Sequence, residues 1–293
     1  EMLKPLLIGE KINNIEFLWN KMWKATFIQG RMGITLMAMS ALDIALWDCY
    51  GRTLNLPLWK IWKGTSKEFP VYGSGCYRGL GHDGMIEKAQ NYVKRGFKSV
   101  KMQVAHCFTN EEDIANVRDM RRALGDDIGL MIDVNQGWGM EETINVSREI
   151  EEFNPEWLEE PVMADDFDGY EKICSSTSIP IVTGENNFTH HDLMPFMKNK
   201  KIKILQPDIM RGGYTNLLFT ANLAHEYGIK IAPHMFPELS IHIVASIKNP
   251  SWLEYMGWYD HLWVEPLLPI NGTLQPTDRP GHGMDFKPEI VTF

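Results

Sequence analysis

Long apolar runs, paired cysteines and basic clusters are all missing from this 293-residue sequence. No stretch of about eighteen apolar residues occurs, so we expect no membrane-spanning helix and no membrane partner. The four cysteines, at positions 49, 76, 107 and 174, form no CxxC pair, which argues against a disulfide framework or a thiolate metal site and fits a reducing compartment. A net charge of −9 without a basic block argues against nucleic acid as a partner. The opening residues lack the features of a signal peptide, and we expect a cytoplasmic protein.

A dinucleotide-binding loop is also absent. The segment "GSGCYRG" is rich in glycine, but its glycines at positions 73, 75 and 79 do not have the GxGxxG spacing. We therefore predict no nucleotide cofactor from this segment.

From Val71 onward the sequence contains short apolar runs with helical patterns between them. The predicted strands are "VYGSGC", "SVKMQV", "GLMIDV", "EWLEEP", "IPIVTGE", "IKILQPD", "KIAPHM" and "LWVEP". Their starts are separated by roughly 22 to 32 residues, which is the length of one strand plus one helix. Eight such units favour an α/β fold, a TIM-type (β/α)7β barrel, over an open sheet.

Helix signals support this pattern and divide the chain. Thr109 and Glu112 have the spacing of a capping box, and Gly125 ends the helix that follows. Residues 1–69 show two long helical patterns without a strand between them, and we interpret them as the helical remainder of an N-terminal capping domain. Residues 70–270 are the predicted catalytic barrel, and residues 271–293 are a tail returning toward the capping domain.

Nearly every predicted strand ends with a polar or charged side chain, although strands of a parallel barrel should be almost wholly apolar. From the second strand to the eighth, these are Lys101 and Gln103, Asp133 and Asn135, Glu159 and Glu160, Glu185, Asp208, His234 and Glu265. Enzymes with this barrel build their active sites at the carboxyl ends of the strands. We therefore expect a catalytic site there.

Side-chain alternation indicates which of these groups point into the barrel. In the third strand, Leu130, Ile132 and Val134 form the apolar face that must meet the outer helices. Asp133 therefore points inward, and the same argument applies to Glu159 in the fourth strand. Lys101 and Gln103 share the inward face of the second strand.

Three acids on consecutive strands, Asp133, Glu159 and Glu185, should converge on one small region. Like charges at close range cannot all ionise cheaply without a cation, and a set of oxygen ligands suits Mg²⁺. The structural alternative is that each acid caps a strand end or forms half of a salt bridge.

Asp208 and His234 are predicted to end neighbouring strands. An acid beside an imidazole fixes its tautomer and raises its basicity, which is how a histidine becomes a general base. A lone histidine would more often be structural.

These residues lie in a sequence that resembles the enolase superfamily, specifically its mandelate racemase subgroup. The resemblance covers nearly the whole chain and rests on seven segments in the family's order: "ALDIALWDCYGRTLNLPLWKIWKG", "MIDVNQGW", "WLEEP", "VTGEN", "QPDIMRGG", "APHMF" and "WVEP". The family carries an N-terminal three-stranded sheet whose loops cap the site and select the substrate. The printed sequence begins beyond the position at which that sheet would end.

The resemblance implies roles for matching positions. Asp133, Glu159 and Glu185 match the family's Mg²⁺ ligands, and His234 with Asp208 matches its base pair. Glu265 matches the acid that contacts the substrate carboxylate, and Lys101 matches the first lysine of the family's KxK motif. The implied chemistry is removal of a proton α to a carboxylate through an ene-diolate.

Gln103 stands where the family often has a second lysine, which acts as the base on the face opposite the histidine. An amide cannot accept a proton at neutral pH, so only one good base remains. Racemisation needs groups on both faces, whereas elimination of a β-hydroxyl needs one base. The sequence therefore favours a Mg²⁺-dependent dehydratase that converts an acid sugar to a 2-keto-3-deoxy acid.

Several alternatives remain open. His106 lies beyond the same strand and would serve as the second base of a racemase or epimerase, and a cycloisomerase would use the same superfamily chemistry. Lys101 would be the nucleophile of a Schiff-base lyase. A metal-bound sugar-acid binder would keep the acids but would not need the histidine and aspartate pair.

The remaining candidate residues are predicted substrate contacts. Tyr77, Arg78, Asn135 and Asn186 are placed to meet substrate hydroxyls, and His106 joins this set. The expected partner is a small carboxylate, an acid sugar, and we expect the chain to form a homo-oligomer.

Overall fold

The computed structural model describes residues 2–291, so Glu1 and residues 292–293 at the ends of the predicted first and last segments lie outside it. Eight of the nine strands within that range are parallel neighbours. The strands are β1 Phe69–Cys76, β2 Ser99–Gln103, β3 Gly129–Asp133, β4 Trp157–Glu159, β5 Ile181–Val182, β6 Ile204–Leu205, β7 Lys230–Ile231, β8 Leu253–Tyr255 and β9 Thr273–Leu274. None of the described helices combines the length and the apolar character that crossing a membrane requires.

The eight parallel strands close into a barrel. Regular pairing runs from β5 through β4, β3, β2 and β1 to β8, and β6 pairs with β7. A bridge between Thr183 and Leu205 joins β5 to β6, and a bridge between Ile231 and Pro250 joins β7 to the start of β8. The TIM-type fold is confirmed. It brings the carboxyl ends of the parallel strands together at one end of the barrel, the barrel mouth.

Seven α-helices alternate with the strands and none follows β8 within the described chain, which gives the (β/α)7β order. They are α5 Gly81–Lys94, α6 Asn110–Leu124, α7 Met140–Ile150, α8 Phe167–Ser176, α9 His190–Lys198, α10 Ile209–Glu226 and α11 Pro237–Val244. The capping box at the start of α6 is present, and Gly125 is its C-cap, as the sequence predicted.

From residue 2 onward, four α-helices precede the barrel: α1 Lys4–Leu7, α2 Ile15–Ala25, α3 Ile34–Leu54 and α4 Leu58–Ile61. Helices α2 and α3 occupy the two helical patterns seen in the sequence. Helix α3 packs along α10, where Ser40 donates a 2.6 Å hydrogen bond to the carbonyl of Ile209 and Trp47 donates one of 2.9 Å to Thr215. The helical layer is thereby tied to the element that follows β6.

A buried carboxylate from α3 secures a break inside α10. The backbone leaves helical geometry at Gly213, whose φ of 75° favours glycine, and the helix restarts at Tyr214. Asp43 accepts hydrogen bonds from the backbone nitrogen of Thr215 at 2.9 Å and from its hydroxyl at 2.6 Å. Asp43 therefore caps the second part of α10 from another helix.

Replacing Asp43 by alanine should lower the free energy of unfolding by about 3 kcal/mol, because it removes a cap and leaves two partly buried donors of Thr215 unpaired. Urea unfolding followed by circular dichroism measures the loss. The control is Asp83→Ala at a fully exposed position, which should change stability by less than about 0.5 kcal/mol. Equal stability of the two variants would contradict the capping role.

The predicted eighth strand is wrong. Strand β8 is Leu253–Tyr255, and the segment "LWVEP" lies beyond it in a short 3-10 helix, Asp260–Leu262, and the extended chain that follows. The tail then adds β9, which pairs antiparallel with β1. Further on, Gly281 exchanges hydrogen bonds with Leu56 and Leu58, so the tail contacts the chain around α4.

Candidate active site

Three carboxylates meet inside the barrel mouth. Asp133 and Glu159 are the last residues of β3 and β4, and Glu185 follows β5. One oxygen from each lies within 4.8 Å of the others. Strand pairing explains this convergence, because Asp133 and Glu159 are direct partners in the β3–β4 register and so point to the same side.

Burial of these acids makes their ionisation costly. Burial raises the pKa of Asp133 to about 6 and that of Glu185 to about 7, and the pKa of Glu159 is raised as well. Mutual repulsion among the acids acts in the same direction. Glu185 Oε2 is buried and has no hydrogen bond within the described chain. An oxygen-rich cluster with an unsatisfied buried atom is suited to hold a divalent cation.

Lys101 lies at the centre of the acids and is itself buried. Its Nζ is 2.6 Å from Glu159 Oε1, 2.9 Å from Glu254 Oε1 and 3.7 Å from Asp133 Oδ2. Burial alone would lower the pKa of Lys101, but these carboxylates outweigh it and raise the pKa above its ordinary value. The ammonium therefore stays charged within the mouth.

Glu254, at the middle of β8, was missed by the sequence prediction, and Glu265 was chosen instead. Glu265 is exposed and pairs with Arg279 in the tail, because "LWVEP" lies outside the barrel. Glu254 is fully buried, and its Oε2 accepts a 2.9 Å hydrogen bond from the backbone nitrogen of Met235. Burial opposes ionisation of Glu254, but Lys101 and His234 lower its pKa to about 2.

His234 and Asp208 form a hydrogen-bonded pair at the ends of neighbouring strands. His234 Nδ1 is 2.8 Å from Asp208 Oδ2, and Nε2 is directed toward Glu185, with Oε2 at 3.3 Å. Burial would lower the pKa of His234, but Glu185, Asp208 and Glu254 outweigh it and raise the pKa to about 10. Because the carboxylate accepts, Nδ1 carries the proton, and Nε2 faces the acid cluster.

Two side chains of the barrel interior hold Glu159 in place. Trp157 Nε1 and Gln206 Nε2 donate hydrogen bonds to Glu159 Oε2 at 3.0 and 2.7 Å. Below them Tyr72, Met131 and Val182 fill the barrel. The polar end of "ILQPD" was visible in the sequence, but only Asp208 was selected from it, so Gln206 was missed.

Gln103 is the last residue of β2 and is the register partner of Asp133. Partners in a parallel pair point to the same side, so the Gln103 amide is directed to the mouth beside the acid cluster. It is partly exposed, and its side chain makes no hydrogen bond with residues 2–291. The amide is free to meet a ligand but cannot act as a base.

Asn135 links three of the predicted substrate contacts. Its backbone nitrogen and Nδ2 donate hydrogen bonds to the two oxygens of Asp133, each at 2.9 Å. Its Oδ1 accepts from Arg78 Nη2 at 2.9 Å, and its backbone carbonyl is 3.0 Å from His106 Nε2. Tyr77 stands apart from this group, with its ring edge-on to Trp258 at 6.3 Å between centroids.

Asn186 makes a comparable bridge on the other side of the cluster. Its Nδ2 donates to Glu160 Oε2 at 2.6 Å, and its Oδ1 accepts from Arg211 Nη2 at 2.9 Å. Burial raises the pKa of Glu160 to about 8, and the nearby Glu185 contributes. Both asparagines thus already connect an arginine to an acid within the protein.

The assembled site combines an oxygen cluster for a cation, a buried ammonium and an imidazole fixed by a carboxylate. Such a set can hold the carboxylate of a ligand and remove a proton from the adjacent carbon.

Two protein-family models match the chain. The model described as "Enolase C-terminal domain-like" matches residues 84–290. The model described as "Mandelate racemase / muconate lactonizing enzyme, N-terminal domain" matches residues 1–62.

Individual proteins with known activities match over nearly the whole of this chain and about four fifths of their own length. The chain is 32% identical over 289 residues to 3,6-anhydro-alpha-L-galactonate cycloisomerase of Streptomyces coelicolor, covering 97% of this chain and 80% of that protein. It is 31% identical over 301 residues to arabinonate dehydratase of Saccharolobus solfataricus, covering 98% of this chain and 80% of that one. The crystal structure of L-talarate dehydratase of Polaromonas sp. JS666, complexed with Mg and L-glucarate, matches with a TM-score of 0.91 and 31% identity, covering 98% of this chain and 81% of that one.

Proposed function

The chain belongs to the mandelate racemase subgroup of the enolase superfamily, and on this premise we propose that it removes the proton α to a sugar-acid carboxylate and then eliminates the β-oxygen. The main reaction is dehydration of an acid sugar to a 2-keto-3-deoxy acid through an ene-diolate. The observation that carries the proposal is the placement of the His234–Asp208 pair against the three converging acids, with Glu185 only 3.3 Å from His234 Nε2.

We propose that Asp133, Glu159 and Glu185 hold Mg²⁺. The donor set fits, because all three ligands are carboxylates, all three are buried, and Glu185 Oε2 lacks a hydrogen bond within the described chain. Mg²⁺ bound there supplies positive charge that stabilises the dianion formed when the α-proton leaves and that lowers the pKa of the neighbouring His234.

His234 moves the proton in both steps. Nε2 takes the α-proton as the C–H bond breaks, and Asp208 holds Nδ1–H and stabilises the imidazolium that forms. The same imidazolium then gives its proton to the departing β-oxygen as the C–O bond breaks. Water and an enol result, and the enol becomes the 2-keto acid.

Lys101 supplies fixed positive charge for the substrate carboxylate. Its position is set by Glu159 and by Glu254, at 2.6 and 2.9 Å. Glu254, rather than Glu265, is the acid of the eighth strand that lies beside Lys101, and we assign to it the role of holding the ammonium in position. The ammonium is pre-organised and needs no rearrangement as charge develops.

A cycloisomerase is the second candidate, favoured by the match to the Streptomyces coelicolor enzyme. If the β-oxygen belongs to a ring ether, the same elimination opens the ring and no water is lost. The product then has the mass of the substrate, whereas dehydration lowers the mass by one water.

The test is a turnover assay with Mg²⁺ and a library of acid sugars and anhydro acid sugars. Semicarbazide detects 2-keto acid, and mass spectrometry separates loss of water from isomerisation. Formation of a 2-keto acid supports the proposal. Conversion of a substrate to its C2 epimer without 2-keto acid would replace it by epimerisation, and metal-dependent binding without any turnover would indicate a binder.

Replacing Glu185 by glutamine should weaken Mg²⁺ binding by more than about 100-fold. Changing a residue that only supports a metal ligand typically lowers metal affinity by about 10- to 100-fold, and removing a ligand itself should lower the affinity further. Calorimetric titration with Mg²⁺ measures the change. The matched control is Glu238→Gln. Glu238 is a buried glutamate outside the site that accepts a hydrogen bond from Trp263 Nε1. Unchanged affinity in the Glu185 variant would contradict the ligand assignment.

A further inference from the structure

The barrel mouth contains an arginine that forms no salt bridge with a carboxylate among residues 2–291. Arg78 lies in the short 3-10 helix Arg78–Leu80 that follows β1, and within residues 2–291 its hydrogen-bond acceptors are a backbone carbonyl and an amide oxygen. An arginine beside a cluster of acids would ordinarily pair with one of them. Arg78 instead forms no such pair, although its charge acts on the nearby Asp113, where it opposes the effect of burial on the pKa of that carboxyl.

The guanidinium of Arg78 is held rigidly along one edge. Its Nε and Nη2 both donate to the carbonyl of Val104, at 3.1 and 2.8 Å, and Nη2 also donates to Asn135 Oδ1 at 2.9 Å. Nη1 has no acceptor among the described residues. A guanidinium that is already oriented loses little freedom when an anion binds, so its remaining donors can bind a carboxylate efficiently.

The path from Arg78 to the acid cluster is short. Asn135 accepts from Arg78 through Oδ1 and donates through Nδ2 to Asp133 Oδ2 at 2.9 Å. A single side-chain amide therefore separates the guanidinium from a proposed Mg²⁺ ligand. This amide also prevents a direct ion pair between Arg78 and Asp133, which would have used the arginine's charge.

The backbone at this point is fixed in an unusual conformation. His106 and Asn135 both have left-handed φ angles, of 58° and 47°, and His106 Nε2 contacts the Asn135 carbonyl at 3.0 Å. The Asp113 carboxylate also accepts the backbone N–H of Ala105. Strained backbone that is held from several sides is typical of sites where position matters.

We propose that Arg78 binds the second carboxylate of a sugar diacid whose first carboxylate lies at the acid cluster. This inference rests on the proposed function, because that function places the first carboxylate beside Lys101 and the metal ligands. A sugar monoacid carries a neutral hydroxymethyl group at its far end and cannot use the charge of Arg78. Relatives named for a monoacid and for diacids match the chain at 31% and 33% identity, so overall similarity does not decide between them.

The test compares acids that differ only at the far end: glucarate with gluconate, and galactarate with galactonate. Binding is measured by calorimetry with saturating Mg²⁺ in a His234→Asn background, which prevents turnover. Where the protein binds the two acids of a pair, it should bind the diacid about 10- to 100-fold more tightly than the monoacid, as expected for hydrogen bonds to a charged partner. Raising the ionic strength should reduce this preference.

Replacing Arg78 by glutamine in the same background should remove most of the preference by weakening diacid binding, and Arg78→Lys should restore part of it. The matched control is Arg95→Gln, whose guanidinium stacks on Tyr92 and Phe97 outside the mouth; this variant should retain the preference. Mg²⁺ titration of every variant checks that the acid cluster is intact.

Three results would overturn the assignment: no tighter binding of the diacid in either pair, equal weakening of monoacid and diacid by Arg78→Gln, or no binding of either diacid. If Arg78→Gln does not fold, the assignment is decided by two other measurements. These are the preference of the His234→Asn protein for the diacid over the monoacid, and the change in that preference caused by Arg78→Lys. Failure of the proposed function has a different signature, namely no α-proton exchange by the wild type with any acid that binds.

Discussion

Replacing His234 by asparagine should slow exchange of the substrate α-proton with deuterated water by about 10²- to 10⁴-fold, the usual contribution of a positioned general base. Asparagine can still donate a hydrogen bond toward Asp208, so the local packing should survive, but it cannot accept a proton. Proton NMR of the substrate in deuterated buffer measures the exchange. Mg²⁺ binding should persist, because His234 is not one of the three converging acids.

The control for this variant is His106→Asn, since His106 was the alternative base suggested by the sequence. His106 is exposed and its Nε2 faces the carbonyl of Asn135, so we expect exchange in that variant to stay within a few-fold of wild type. Exchange at the wild-type rate in His234→Asn, together with loss of exchange in His106→Asn, would move the base to His106.

The barrel could be predicted from sequence because its signal is repeated. Seven strands were placed correctly, since each is an apolar run followed by a helix with its own caps, as for α6 between Thr109 and Gly125. Side-chain alternation then gave the inward direction of Lys101, Asp133 and Glu159. These inferences are robust because strand period and helix capping are local properties of the chain.

The eighth strand was misplaced because no helix follows it and two similar segments compete. Both "WLEYMGW" and "LWVEP" put a glutamate after apolar residues, and the spacing from β7 allows either. Tertiary packing decides between them. Glu254 is fully buried against Lys101, whereas Glu265 pairs with Arg279 on the outside.

The asparagine bridges could not be predicted at all. Asn135 and Asn186 were chosen as hydroxyl-binding residues, yet each connects an arginine to an acid in the structure. The Asn135 bridge depends on a left-handed backbone at that residue and on the position of the 3-10 helix that carries Arg78. Such features arise from packing between distant segments and leave no periodic pattern in the sequence.

The absence of a second base at Gln103 leads to the other large expected effect. If His234 is the only base, one face of the ene-diolate can be protonated by a strong acid. The wild type should then exchange the C2 proton of one epimer and leave the other epimer untouched. It should also give elimination, with no epimerised substrate recovered.

Replacing Gln103 by lysine should create exchange at C2 of the opposite epimer, at about 10²-fold above the wild-type background. The side chain at position 103 points to the mouth as the register partner of Asp133, on the same strand face as Lys101. With Mg²⁺ bound to the acid cluster, the positive charges of the ion and of Lys101 should offset the acids and lower the pKa of a second lysine, so a fraction of it is neutral and can accept a proton.

Proton NMR of both C2 epimers in deuterated buffer, for wild type and variant, makes the comparison. Gln103→Met is the matched control, because methionine has nearly the length of lysine but cannot accept a proton, and it should leave the opposite epimer unexchanged. Exchange of both epimers by the wild type would show that a second base already exists, and the interpretation of Gln103 would be wrong. Exchange of the opposite epimer by the lysine variant alone would show that the barrel places position 103 on the face opposite His234. The amide of Gln103 would then be what limits the wild-type protein to chemistry with a single base.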